Sequence, residues 1–182
     1  MSVRQTLLID TCVLINLLAS DEISQILQVA ARQSFICAIV KSESLYLRSP
    51  EPEEGLIAVD LQPFIEGKLL NLCDLETPLE EQLFINYAGV LDDGEAMSLA
   101  IAQARNWHLA TDERKARRIF LEQVNADETL LLNTAELIKA WAEAQSISAE
   151  KLKSVLRAIE NRARYRPPAW DKQQSWWLSA VA

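Results

Sequence analysis

Hydrophobic and polar positions along this chain follow two rhythms. Short unbroken apolar runs suit strands buried on both faces, whereas apolar residues recurring three and four positions apart suit one face of a helix. Val3 to Ile9, closing on the apolar Leu7-Leu8-Ile9, predicts a buried strand. Val13 to Leu18 then continues into a helix with Thr11 placed to cap its amino end, and Ile23, Ile26, Leu27 and Ala30 recur at helical spacing. Ser34 to Val40 predicts a second buried strand, with a short helix from Ser42. Ser49 to Gly55 holds Pro50, Pro52 and three glutamates, a composition that predicts a loop. Ile57 to Leu61 and Leu69 to Leu75 predict short strands around a Pro63 to Gly67 turn, and Pro78 suits the first turn of a helix reaching about Tyr87. Ala96, Leu99, Ala100 and Ala104 stripe another helix. Trp107 to Thr111 then predicts a strand, Glu113 to Leu121 a helix and Thr129 to Leu132 a strand, and the last helices start from Thr134 and Ser148. Tyr165 to Ala182, with two prolines and three tryptophans, is expected as an extended arm.

Strands alternating with helices predict an α/β fold, a three-layer α/β/α sandwich around a mainly parallel sheet, because right-handed crossovers place helices on both faces. The alternation occupies residues 1–135, and residues 136–182 are expected as a C-terminal helical extension and arm packed on the same domain. A length of 182 residues with 49% apolar content supports one core. No run has the length of a membrane span, and no signal-like amino terminus is present, so a cytoplasmic protein is expected. Cys12, Cys37 and Cys73 are odd in number and lack the spacing of a zinc or redox motif, which leaves reduced, buried thiols. The lone His108 continues an apolar run and is expected to pack.

The formal charge of −8 argues against electrostatically driven binding to nucleic acid. The charge is uneven, however. Residues 151–182 carry 7 Lys+Arg against 2 Asp+Glu, and the rest of the chain carries 11 against 24. That basic end is open to two readings, a solvated helix face or a surface for an anion.

Four carboxylates stand where strand-like runs end or a helix begins: Asp10, Glu43, Glu95 and Asp112. In parallel sheets ligands sit beyond the carboxyl ends of the strands, so acids distant in sequence are expected to meet there. Neighbouring carboxylates repel, and one takes up a proton unless a cation neutralises the group. Hard oxygen donors without histidine or thiolate point to Mg²⁺ or Mn²⁺, and such an ion suits phosphodiester hydrolysis. Each acid also has a structural reading. Asp92 stands three residues before Glu95 as an N-cap would, and Asp112 and Glu43 are both placed to serve at a helix start. Asp10, wedged between apolar segments, is the hardest to explain without a partner.

At these residues the chain resembles PIN-domain proteins, a metal-dependent nuclease family that includes the toxin ribonucleases of bacterial toxin–antitoxin pairs. The resemblance covers roughly residues 5 to 135. Leu7-Leu8-Ile9-Asp10-Thr11-Cys12-Val13 is similar to the family's first motif, Lys41-Ser42-Glu43 to its second, Leu91-Asp92-Asp93-Gly94-Glu95-Ala96 to its third and Leu109-Ala110-Thr111-Asp112-Glu113-Arg114-Lys115-Ala116-Arg117 to its fourth. The resemblance implies metal-binding or catalytic roles for Asp10, Glu43, Glu95 and Asp112, with Asp93 the alternative to Glu95 and with Thr11 and Thr111 as hydrogen-bonding supports. Position 12 is Cys where many relatives carry Asn or another small polar residue, which removes or weakens a supporting hydrogen bond. The activity implied is Mg²⁺- or Mn²⁺-dependent hydrolysis of single-stranded RNA. Arg114, Lys115, Arg117 and Arg118 are then candidates for phosphate contacts, or simply cations near a helix end, and Trp170, Trp176 and Trp177 for base stacking or for anchoring the tail. RNA, an antitoxin and a second copy of the chain are the partners implied. Two alternatives stand beside this: a non-catalytic PIN-like binding module, and a phosphoaspartate enzyme built on Asp10, which needs an aspartate where Cys12 stands.

Overall fold

The structure, a computed structural model, describes residues 6–43, 45–51, 53, 55–124 and 127–182. In chain order the elements are β1 (Thr6–Ile9), α1 (Thr11–Ala19), α2 (Ile23–Ala30), β2 (Gln33–Cys37), α3 (Ala38–Ser42), β3 (Tyr46–Arg48) and β4 (Leu56–Ala58). There follow α4 (Gln62–Glu66), β5 (Asn71–Cys73), α5 (Pro78–Ala88), α6 (Asp93–Arg105), β6 (His108–Ala110), α7 (Arg114–Gln123) and a 3-10 turn at Glu128–Leu130. The chain ends with β7 (Leu131–Leu132), α8 (Thr134–Ala144), α9 (Ala149–Arg162) and α10 (Gln174–Val181). The expected α/β class is the one observed. The chain divides into two compact units, one of Met1–Val13, Ala31–Glu43 and Leu61–Asn133, the other of Leu14–Ala30, Ser44–Asp60 and Thr134–Ala182.

The first unit is built on a five-stranded sheet in the order β5-β2-β1-β6-β7, with every neighbouring pair parallel. Leu8 pairs with Phe35 on one side and Leu109 on the other, and Ile9 with Ala110. Leu7, Leu8 and Ile9 are fully buried, which is why the run is continuously apolar and not alternating. Each such side chain contributes about 1.5–3 kcal/mol. Helix α6 lies against β1, β2 and β6 and also against α5 and α7, and apart from Glu95 it is buried from Gly94 to Ala102, a stretch rich in small residues. Helix α5 opens on a capping box in which the Thr77 hydroxyl accepts from Glu80 N and the Glu80 carboxylate accepts from Thr77 N. Glu80, 1% exposed, is also gripped by Arg105 Nε at 2.6 Å, which ties α5 to the end of α6.

The second unit holds the later part of α1, helices α2, α8, α9 and α10 and the antiparallel β3–β4 hairpin. Helix α2 packs on α8, and α9 packs on α10 and β3, around buried Trp141 and Trp177. Asp21, with φ 58°, breaks the α1–α2 stretch into two helices.

Several expectations about element boundaries are corrected. Residues 3–5 of the expected first strand, and residues 52 and 54 of the expected loop, lie outside the described residues. The helix expected from Ser42 ends there: α3 begins directly after β2, and Glu43 is its extended C-terminal cap, φ −69° and ψ 144°. An unbroken Phe-Ile-Cys-Ala-Ile-Val run carries no periodicity that marks where strand gives way to helix. Pro63 to Gly67 does not turn between paired strands. Pro63 sits in the first turn of α4, and β4 and β5 belong to different sheets. The C-terminal arm is not extended throughout but ends in α10, where Trp177 is buried and donates its Nε1–H to Glu160 Oε1 at 3.0 Å. Of the expected strand at Thr129 to Leu132, only Leu131 and Leu132 pair, and the 3-10 turn takes the rest.

Candidate functional site

The first unit's chain runs from β1 outward to β2 and β5, then returns to β1's other side as β6 and β7. The order therefore reverses between β1 and β6, and a crevice opens at such a switch point beyond the carboxyl ends of the strands. Asp10 directly follows β1, and Asp112 stands two residues past β6. Asp10 N donates to Ala110 O at 3.0 Å, carrying the pairing one residue beyond β1, so the two loops leave the sheet side by side.

Asp10 is 4% exposed. Its Oδ1 accepts from Thr11 N at 2.8 Å, and its Oδ2 accepts from the Thr111 hydroxyl at 2.8 Å and from Cys12 Sγ at 3.3 Å. Burial raises its pKa above the usual carboxylate range, and the nearby charge of Asp92 pushes the same way, against the lowering effect of those three hydrogen bonds. Thr11 and Thr111 act as the expected supports. Thr11 does not cap with its hydroxyl, however: it donates to Glu43 Oε2 at 2.7 Å. Glu43 thus reaches the group from the end of α3.

Cys12 departs from the expectation of a missing support. Asp112 N donates to its sulfur at 3.3 Å while the thiol donates to Asp10, so this side chain joins the two strand-end loops. Burial, reinforced by the charges of Asp10 and Asp112, raises the thiol's pKa and keeps it a neutral donor.

The third motif resolves among its three acids. Asp92 is the N-cap of α6, its Oδ1 accepting from Glu95 N at 2.8 Å, while Asp93 is exposed in the first helical turn. Glu95 is half-buried, and burial together with the charges of Asp92, Asp10 and Glu113 pushes its pKa up to about 7. Gly94 lies between them: a Cβ built on it would fall 2.7 Å from Glu43 Oε1 and 3.6 Å from Asp92 Oδ1. Asp112 is half-buried and leaves the capping of α7 to Glu113, whose carboxylate accepts from Lys115 N at 3.2 Å.

Asp10, Glu43, Glu95 and Asp112 are therefore linked through Thr11, Gly94, Cys12 and mutual charge within one unit, with Asp92 as a fifth member. Asp92 competes with Asp93 and Glu95 for the inward position when the sequence alone is read, whereas Gly94 escapes notice because a first-turn glycine has an ordinary structural role. Among the described residues, no group of three or more His, Cys, Asp or Glu side chains is arranged to hold a metal ion. The donor chemistry nevertheless suits a hard cation, since Mg²⁺ is held by one or two carboxylates with waters and substrate oxygens in its remaining positions.

The cations named from the sequence divide. Arg117 Nη1 donates to Thr111 O at 2.9 Å and Leu132 O at 2.8 Å, bracing the ends of β6 and β7. Lys115 donates to Val90 O, Arg118 pairs weakly with Glu122 at 3.9 Å, and Arg114 is exposed. Trp177 is an internal anchor, and Lys139 Nζ stands 5.9 Å over the Trp176 ring. His108 and the buried Cys37 and Cys73 belong to the packing of the sheet. No helix among the described residues is long and apolar enough to cross a membrane. Comparison with known proteins returned no match, whether to family models, to curated proteins or to solved structures.

Proposed function

We propose that the first unit is a PIN-like, Mg²⁺- or Mn²⁺-dependent endoribonuclease centre acting on single-stranded RNA, of the kind found as toxins of toxin–antitoxin pairs. The observation that carries this reading is a nearly inaccessible Asp10 at the sheet's switch point, near other carboxylates and with no cationic side chain hydrogen-bonded to it among the described residues. A divalent ion bound there supplies activation of water and stabilisation of charge on the attacked and leaving oxygens.

The chain's own residues do the positioning. Thr11 N, Thr111 and Cys12 fix both oxygens of Asp10, with two donors on Oδ2 and one on Oδ1, which leaves a lone pair on Oδ1 for a ligand. Thr11 holds Glu43 through Oε2, and Asp112 is set by its backbone bond to Cys12. Burial and the neighbouring acids push the Glu95 pKa up to about 7 without a cation, so Glu95 is expected to release its proton when a divalent ion binds beside it. The test is cleavage of a single-stranded RNA by the purified protein with Mg²⁺, with chelator, and after Asp112→Asn. The reading requires cleavage in the first case alone, and cleavage that persists in chelator overturns it. A Mn²⁺ titration with no saturable site would instead favour a non-catalytic binding module.

A further inference from the structure

The second unit contains an open cleft of about 1000 Å³, lined in part by Arg48 of β3, Arg157 and Arg162 of α9, and Arg164 just past α9. Every cationic residue on its wall is an arginine. Among the described residues two carboxylates share the wall, and both are already paired. Asp21 Oδ2 accepts from Arg162 Nη1 at 2.6 Å. Glu160 accepts from Arg166 at 2.8 Å and Trp177 at 3.0 Å, with Arg157 at 3.5 Å. Arg157 and Arg162 are further held by the carbonyls of Val181 and Ala19, at 2.7 and 3.0 Å. Arg48 and Arg164 are different: both are exposed, and neither guanidinium has a hydrogen bond or ion pair among the described residues.

Arg164 also sits at φ 60°, a left-handed conformation that favours glycine or asparagine at a helix end. An arginine there keeps a guanidinium at the cleft mouth against local preference. Planar guanidinium forks match phosphate oxygens two at a time, and Ser49, Ser154 and Asn161 on the same wall offer neutral donors of the kind that meet phosphate and sugar. The volume far exceeds one anion, and four arginines line it.

From this we infer that the cleft binds the phosphodiester backbone of single-stranded RNA, with Arg48 and Arg164 as its principal phosphate contacts. The preference for RNA over another phosphate chain rests on the nuclease reading, whereas binding here needs neither the divalent ion nor the acids of the first unit. It also gives the basic end of an otherwise acidic chain a role.

The test is fluorescence anisotropy of a short labelled oligouridylate with the full chain in chelator. Arg48→Ala and Arg164→Gly are each expected to weaken binding about tenfold and to flatten the salt dependence by about 0.7 per lost contact. Arg32→Ala, which removes an exposed charge outside the cleft, leaves binding unchanged. Arg164→Gly suits the left-handed backbone, so its melting temperature does not fall and lost binding is not lost folding. Unchanged affinity in both cleft variants overturns the inference, as does displacement of the RNA by polyglutamate at equal charge concentration. RNA held in chelator but never cut on adding Mn²⁺ would sink the nuclease reading and leave the cleft standing. Metal-dependent cutting with unaltered affinity in the variants would do the reverse.

Discussion

Substitution of Gly94 by alanine separates the site from the fold. The added methyl would stand 2.7 Å from Glu43 Oε1, about 0.7 Å inside ordinary contact at 3.4 Å. Glu43 is the end of a flexible side chain and can retreat, but its other oxygen is bonded to the Thr11 hydroxyl at 2.7 Å. A retreat of that size stretches the bond towards 3.4 Å, beyond a useful hydrogen bond. Losing a hydrogen bond to a charged group costs roughly 1.5–3 kcal/mol when buried, and less for this half-buried carboxylate. Alanine in the helix returns about 0.5–1 kcal/mol. The two nearly offset, so the melting temperature should move by no more than about 4 °C for a chain of this length. Metal affinity has no such compensation, because displacing a positioned ligand lowers it about 10–100-fold. Calorimetric Mn²⁺ titration beside differential scanning calorimetry measures both. In a Glu43→Gln background the same methyl should add little, since both changes act through one carboxylate. Wild-type Mn²⁺ affinity in Gly94→Ala, or a collapse of stability accompanying any loss, refutes this reasoning.

Other outcomes follow from the same geometry. Glu80→Ala removes the buried carboxylate that Arg105 Nε grips and leaves Arg105 with Asp74 O and Glu76, so it should cost about 1.5–3 kcal/mol, read by denaturant unfolding. The Arg105 hydrogen bond holds the Glu80 pKa below its ordinary 4.5, so the pair's stabilisation is present above that value and is lost as pH falls through the folded pKa, and the variant's deficit should shrink in acid. Glu95 shifts oppositely, with a folded pKa near 7 against 4.5, so in chelator its contribution is full below about 4.5 and is lost as pH rises through 7. Thermal melts of wild type should therefore fall across that window more steeply than those of Glu95→Gln. Thr111→Val removes a donor to the buried Asp10 and an acceptor for Glu113 N, and should weaken Mn²⁺ binding about 10–100-fold while lowering stability by about 1.5–3 kcal/mol.

How much of this was legible in the sequence depends on what kind of signal each residue carries. Leu7-Leu8-Ile9 announces a strand buried on both faces, and Thr77-Pro78 with Glu80 announces a helix start, because burial and capping act locally. The convergence of Asp10 with Asp112 was inferable from strand ends in a parallel sheet. Where α3 ends was not, since Ala38 to Val40 suits helix and strand alike and only tertiary packing selects between them. Three side chains could not be placed from sequence. Thr11 looked like a cap but gives its hydroxyl to Glu43, 32 positions on; Cys12 looked like a lost support but joins two loops; Arg117 looked free for a ligand but braces two carbonyls. Each of these depends on partners distant along the chain, and periodicity carries no record of them.

The acids around Asp10 are expected to form a seat for one divalent cation. Diffraction from crystals grown with Mn²⁺, recorded where manganese scatters anomalously, tests it most directly. The expected result is a single strong peak at ligand distance from Asp10 and from at least one of Glu43, Glu95 and Asp112, absent from Asp10→Asn crystals. Well-ordered crystals with no peak at Asp10 would contradict the claim.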